Sequence, residues 1–215
     1  MDTLIVSSFS KFGNNKLDIL KTVKVFDDRG VNVCFEKENI RTKNDDRSST
    51  FEHLLLDISG GSPLFDNVNF TNQALSIPGS EGSGTWITLD STNVQFTNCN
   101  FNHLSTEMSG SATSRKGNVV YQSSGTSVFD NCTFNGNTLS GASSTQSELK
   151  GNVYYLESGS ASFTGSTFTN NSLTGGLESN PKGGVFYVEN GSLTLSGCQL
   201  DSNSVSSQGN GVLLL

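Results

Sequence analysis

Few side chains in this 215-residue sequence are of a type suited to acid–base work. Hydrolysis of a glycosidic bond needs two carboxylates at a defined separation. The adjacent pairs Asp27-Asp28 and Asp45-Asp46 qualify by type, and so do Asp90, Glu157 and Glu189, which share the fifth place of the repeat set out below. No Arg, Lys or His shares the recurring place of the last three, so they read as a solvated acidic stripe. The four cysteines are Cys34, Cys99, Cys132 and Cys198. They show no CxxC or Cys/His spacing, and His53 and His103 have no ligating neighbours, so no metal or other cofactor is expected. Lys116, Lys150 and Lys182 recur in KGNVVY, KGNVYY and KGGVFY, with Arg115 beside the first. A basic stripe of this kind suits an acidic partner, but more often it gives solubility and blunts an edge.

What positions these groups is a repeat. Five 19-residue blocks begin at Leu55, Trp86, Val119, Val153 and Val185 and align without a gap. Val212–Leu215 would begin a sixth. All variation in length falls between blocks, as expected of a solenoid with one variable loop per coil. Place eleven reads Phe65, Phe96, Phe129, Phe163, Leu195; place fourteen Val68, Cys99, Cys132, Ser166, Cys198; place sixteen Phe70, Phe101, Phe134, Phe168, Leu200; place nineteen Gln73, Leu104, Asn137, Asn171, Asn203. Gly61, Gly125, Gly159 and Gly191 recur at place seven, where a bend between strands needs a permissive residue. Each coil is then strand, Gly turn, strand, Asn turn, short strand and variable loop. Like places stack at the strand spacing of about 4.8 Å. The fold class is an all-β parallel β-helix with about five clear coils of 31–34 residues. Cys99 and Cys132 fall on neighbouring coils, within reach of a disulfide; packing as small apolar rungs is the plainer reading.

Composition agrees. Ser, Thr and Asn number 34, 20 and 23, and Pro only 3, which disfavours a helical bundle. Residues 51–215 carry a net charge of −8 and residues 1–50 a net of +1. An acidic body disfavours nucleic acid as a partner. No apolar run approaches 18 residues, and MDTLIVSSFSKFGNN lacks the basic and apolar regions of a signal peptide, so neither a transmembrane helix nor a leader is expected. The sequons at Asn69, Asn131, Asn170 and Asn190 follow from composition. The composition shift divides the chain into 1–50, degenerate N-terminal coils or a covering segment, and 51–215, the regular helix, which is expected to be cut within a coil at its C-terminal end, as a fragment of a longer solenoid or an end that docks on a partner. In the first part, Phe12, Asn15 and Leu17 match the end of a coil. Val33, Phe35 and Ile40 suit core places of another, and Glu36 to Arg47 reads as a charged loop.

The first strand of each block is apolar on both faces: LLDI, WITL, VVYQ, VYYL, VFYV. Places two and four suit the interior. Places one and three then face outward, namely Trp86, Val119, Val153 and Val185 with Tyr121, Tyr155 and Tyr187. A strand apolar on both faces normally has something covering each. These seven residues are the candidate surface for a protein partner or neighbouring chain.

FNGN (Phe134–Asn137), FTNN (Phe168–Asn171) and GGVF (Gly183–Phe186) resemble the FxxN and GGA[ILV] repeats of the chlamydial polymorphic outer membrane proteins and of protist β-helix surface proteins. The resemblance covers about residues 53–215 and implies a right-handed β-helix, usually an exported adhesin or surface stalk. Cell-surface or extracellular placement follows from it. Enzymatic β-helices such as pectate lyases converge carboxylates with Arg, Lys or His on one outward strand face. Such a convergence is not visible here, so a non-enzymatic surface, adhesin-like or scaffold module is expected. The alternatives are a carbohydrate-active lyase or hydrolase, with a carbohydrate ligand, and a structural segment of a large filament.

Overall fold

The computed structural model describes residues 3–6, 32–35, 40–41, 56–78, 82–109, 113–141, 147–176 and 179–207. The chain forms two compact units, Met1–Leu54 and Leu55–Leu215. In the first, Thr3–Val6 pairs in parallel with Asn32–Phe35, and Ile40–Arg41 folds back antiparallel so that Ile40 faces Phe35. Val33, Phe35 and Ile40 therefore do not run on as one advancing coil. Phe12, Asn15, Leu17, both acidic pairs, His53 and Val212–Leu215 lie outside the described residues.

Among the described residues the second unit is built of strands, and each rung winds through four parallel sheets. Sheet A holds Leu56–Ser59, Ile87–Asp90, Val120–Gln122, Tyr154–Leu156 and Phe186–Val188. Sheet B holds Leu64–Asp66, Thr92–Thr97, Gly125–Asp130, Ser160–Thr164 and Ser192–Ser196. Sheet C runs from Asn69–Pro78 and Asn100–Ser109 into three later rungs, each split at an Asn turn. Sheet D, which the repeat alone did not reveal, stacks Gly82–Ser83, Thr113–Lys116 and Ser147–Lys150, and Lys150 bridges on to Lys182.

The aligned places are the structural register. Phe65, Phe96, Phe129, Phe163 and Leu195 pair in succession, as do Phe70, Phe101, Phe134, Phe168 and Leu200. Rings within the first row stack at 4.7, 4.8 and 4.6 Å, and rings within the second at 5.0, 4.6 and 4.9 Å. Between the rows the rings meet edge to face, Phe96 on Phe101 at 5.5 Å. Each such contact adds about 0.5–1.5 kcal/mol beyond area burial.

Polar rows run inside the same core. The Asn171 amide accepts from the Asn137 backbone N–H at 3.0 Å and from its side chain at 2.9 Å, and donates to the Phe134 carbonyl at 3.0 Å. Asn118 and Asn152 form a second row, joined at 3.0 Å and donating to carbonyls of sheet C. They stand between the main core and a smaller cluster of Met108, Leu139, Leu149 and Leu173. Buried amides persist only when so satisfied. Gln122 is likewise buried, held by Ser127 at 2.8 Å, by the Gly125 carbonyl at 2.9 Å and by the Tyr154 hydroxyl.

Candidate functional site

The candidate surface divides in two. Trp86, Val119, Val153 and Val185 face the interior: they belong to the main core, and Val119 and Val153 are fully buried. This corrects the expectation that place one points outward. The residue stands at the corner where sheet D enters sheet A, and there the alternation of a straight strand does not apply. Residues Gly151 to Leu156 are all buried in succession. The corner depends on its glycine. Gly117 has φ 72°, and a Cβ there would lie 2.8 Å from the Val120 carbonyl and 2.9 Å from the Tyr121 Cβ. That constraint explains the KGN and KGG motifs. The Trp86 indole Nε1 is the one buried side-chain polar atom without a hydrogen-bond partner among the described residues.

The place-three tyrosines do lie on the outer face of sheet A. Tyr121 and Tyr155 stack at 5.6 Å, and Tyr155 and Tyr187 at 5.2 Å. They are not bare, since Tyr155 is 0% and Tyr121 7% exposed. Tyr187 is half-buried. The cover includes the lysine row. The Lys116 ammonium lies 5.3 Å from the centre of the Tyr155 ring, and that of Lys150 lies 5.6 Å from the centre of Tyr187. Each lysine thus serves the tyrosine one coil on, a cation–π contact worth about 0.5–2 kcal/mol.

The recurring carboxylates complete the cluster. Lys116 pairs with Glu157 at 3.4 Å and with Glu189 at 3.3 Å. The Tyr121 hydroxyl donates to Glu157 and the Tyr155 hydroxyl to Glu189. The bond from Tyr155, and after it Lys116, holds the Glu189 carboxyl below its ordinary range. Burial alone would lower the Lys116 ammonium, but bonds to Glu189 and Glu157 outweigh it and raise it. Burial and Glu189 together push the Tyr155 phenol well above its usual value. Lysine and glutamate stripes that look separate in the sequence therefore interlock, because the lysine leans forward by one and two coils. The signal was there: Lys116, Tyr155 and Glu157 keep the same spacing as Lys150, Tyr187 and Glu189 to within two residues.

Asp90, the third member of the acidic row, stands apart. Its carboxylate accepts from Ser123 at 2.5 Å and from Ser124 and Ser91 at 3.3 Å, which lowers its pKa. Arg115 does not join the lysines. It alternates with Lys116 along the strand, and its guanidinium turns to Thr85 Oγ1 at 2.9 Å and the Gly84 carbonyl at 2.6 Å.

The described cysteines are free thiols. Cys99, Cys132 and Cys198 each donate to the carbonyl of a place-eleven Phe on the previous coil, at 3.5, 3.5 and 3.4 Å. The hydrogen bond shared with Cys99, and burial, hold the Cys132 thiol protonated. Ser166 fills the same row and accepts from the Cys132 backbone N–H at 3.0 Å. Among the described residues no group of three or more His, Cys, Asp or Glu could hold a metal ion, and no helix is long and apolar enough to cross a membrane.

No curated protein and no solved structure matches the chain. A family profile described as a right handed beta helix region matches residues 40–215, which takes in every rung of sheets A to D. On that match and on the parallel coils that carry it, the chain belongs to the right-handed β-helix family.

Proposed function

We propose that this chain is a non-catalytic β-helical module, a scaffold or surface element that works by presenting a rigid stack of coils to a protein partner. The observation that carries this reading is the outer face of sheet A. Its two recurring glutamates are each taken up by a tyrosine hydroxyl and by one shared ammonium. A general acid or base needs a proton to exchange with substrate. Bound to one another, these groups support a structural role; the same convergence of two carboxylates with a lysine, which the sequence did not show, is what the carbohydrate-active alternative would use, and turnover separates the two. The part of the tyrosine row left for a partner is its last member, Tyr187, with the lysine and glutamate heads around it. A cell-surface setting follows from the likeness to exported repeat proteins.

The test is turnover. Purified protein is expected to leave polygalacturonate and alginate intact, with or without calcium. Depolymerisation that disappears in Glu157→Gln or Glu189→Gln would instead make the chain a carbohydrate-active β-helix.

A further inference from the structure

We propose that the buried trio Gln122, Ser127 and Tyr154 is a register lock, which distinguishes two coils of the stack from their near-identical neighbours and so decides which coil packs on which.

Three places of the repeat are apolar in every coil but one. Place four reads Ile58, Leu89, Gln122, Leu156, Val188; place nine Pro63, Val94, Ser127, Ala161, Leu193; place two Leu56, Ile87, Val120, Tyr154, Phe186. The three departures meet at one point. Gln122 and Ser127 stand on the third coil and Tyr154 on the fourth, and they are 0%, 0% and 1% exposed. The Gln122 amide oxygen accepts from Ser127 Oγ at 2.8 Å and from the Tyr154 hydroxyl. Ser127 and Tyr154 share a hydrogen bond at 2.6 Å. The Gln122 amide nitrogen donates to the Gly125 carbonyl at 2.9 Å and to the Ser160 carbonyl, on the fourth coil, at 3.2 Å. Each polar group of the trio is satisfied by the others or by these carbonyls.

The rest of the core does not choose a register. If the third coil looped out and the fourth packed on the second, Phe163 would stack on Phe96 and Phe168 on Phe101, and the Leu104 N–H would meet Asn171 in place of Asn137. The phenylalanine and asparagine rows would close again. Looping out a coil adds little entropic cost, because loop closure grows slowly with length. The trio alone is broken: the Tyr154 hydroxyl would lie against Leu89 and Val94. If the fourth coil looped out instead, Gln122 and Ser127 would face Phe186 and Leu193. Either slip buries polar groups without partners, which is expensive. A buried polar cluster adds little stability over apolar residues of similar size, and its best-attested use is to fix register.

The experiment is hydrogen exchange read by mass spectrometry on the full chain after refolding from denaturant. The variant Gln122→Leu/Ser127→Ala/Tyr154→Phe puts at each place a residue that another coil carries there, as at Leu156, Ala161 and Phe186. It is expected to fold, with an unfolding midpoint no lower than that of the unsubstituted chain. Segments 120–130 and 154–164 should then show two isotope envelopes, the second exchanging about tenfold faster or more, as a looped-out coil does. The unsubstituted chain should show one envelope. Tyr154→Phe alone makes the fourth coil read like the fifth at place two, and should give the second envelope in smaller amount. Leu89→Val, a core change outside the trio to the residue found at Val188, should give one. The proposal is overturned if the triple variant refolds to a single envelope or does not fold, or if Leu89→Val splits the envelopes equally.

Discussion

The ammonium of Lys116 lies 3.3 Å from the Glu189 carboxylate, across 73 residues of chain and two coils of the stack. The same ammonium reaches Glu157 on the intervening coil. One cation thus ties three successive rungs together over the face of Tyr155. Both carboxylates and the lysine are about one-third exposed, so solvent screening holds each pair to modest strength. In a double-mutant cycle, Lys116→Met and Glu189→Gln should show a coupling of about 0.5–1 kcal/mol by chemical unfolding. Additive effects would mean that the pair contributes nothing.

The same cluster sets a pH dependence with two limbs. Glu189 has its folded pKa depressed, so its contribution is present above the ordinary carboxylate range and is lost as pH falls through the folded value. Lys116 and Tyr155 have folded values raised, so theirs is present below the ordinary range of each group and is lost as pH rises through the folded values. Unfolding midpoints across pH should form a plateau with an acid and an alkaline edge. In Glu189→Gln the acid edge should flatten; an unchanged acid edge would mean that other carboxylates set it.

Phe129 stacks on Phe96 and Phe163 and is fully buried. Phe129→Ala should cost about 3–5 kcal/mol in denaturant unfolding. Leu195→Ala, in the same row at its exposed end, should cost under about 1 kcal/mol, since little area is lost. Equal costs would contradict the burial gradient along the row.

Asn171 is expected to behave as core despite its polarity. Asn171→Leu would leave the Phe134 carbonyl and the Asn137 backbone N–H without the partners they now have. Each buried orphan costs about 1–3 kcal/mol, so a loss of about 3 kcal/mol is expected. A neutral result would mean that water replaces the amide.

Cysteine chemistry should follow burial. Cys198 is partly exposed while Cys99 and Cys132 are 0% and 1% exposed, so native-state alkylation should modify Cys198 first. Cys132→Ser should be tolerated within about 1 kcal/mol, because Ser166 already shows that a hydroxyl satisfies this row. Simultaneous labelling of all three would indicate an open core.

The rows of Phe, Cys and Asn could be read from sequence because a solenoid repeats one environment per coil, so each column samples a single site several times. Place one could not. Val119 and Val153 look like outward residues of an alternating strand, but a strand of three residues entered through a glycine corner has too little length for alternation to hold. Sheet D escaped for a related reason: Thr113–Lys116 and Ser147–Lys150 lie in the stretch whose length varies, where alignment loses the column. The Lys116 cluster was missed because its contacts run diagonally between coils, whereas columns show only what lies directly above and below. In the N-terminal unit, the antiparallel return of Ile40 onto Phe35 has no counterpart elsewhere in the chain to reveal it.

The hydrogen bonds that join rung to rung point along the axis of the stack. Tension applied along that axis therefore loads them in series, and the coils should peel away singly. Lys116 alters this load path, since its ion pairs to the next two rungs must also break before the coil that carries it is released. The middle of the module gains a modest cross-tie, and the first coil to yield under tension should be one that no such tie crosses.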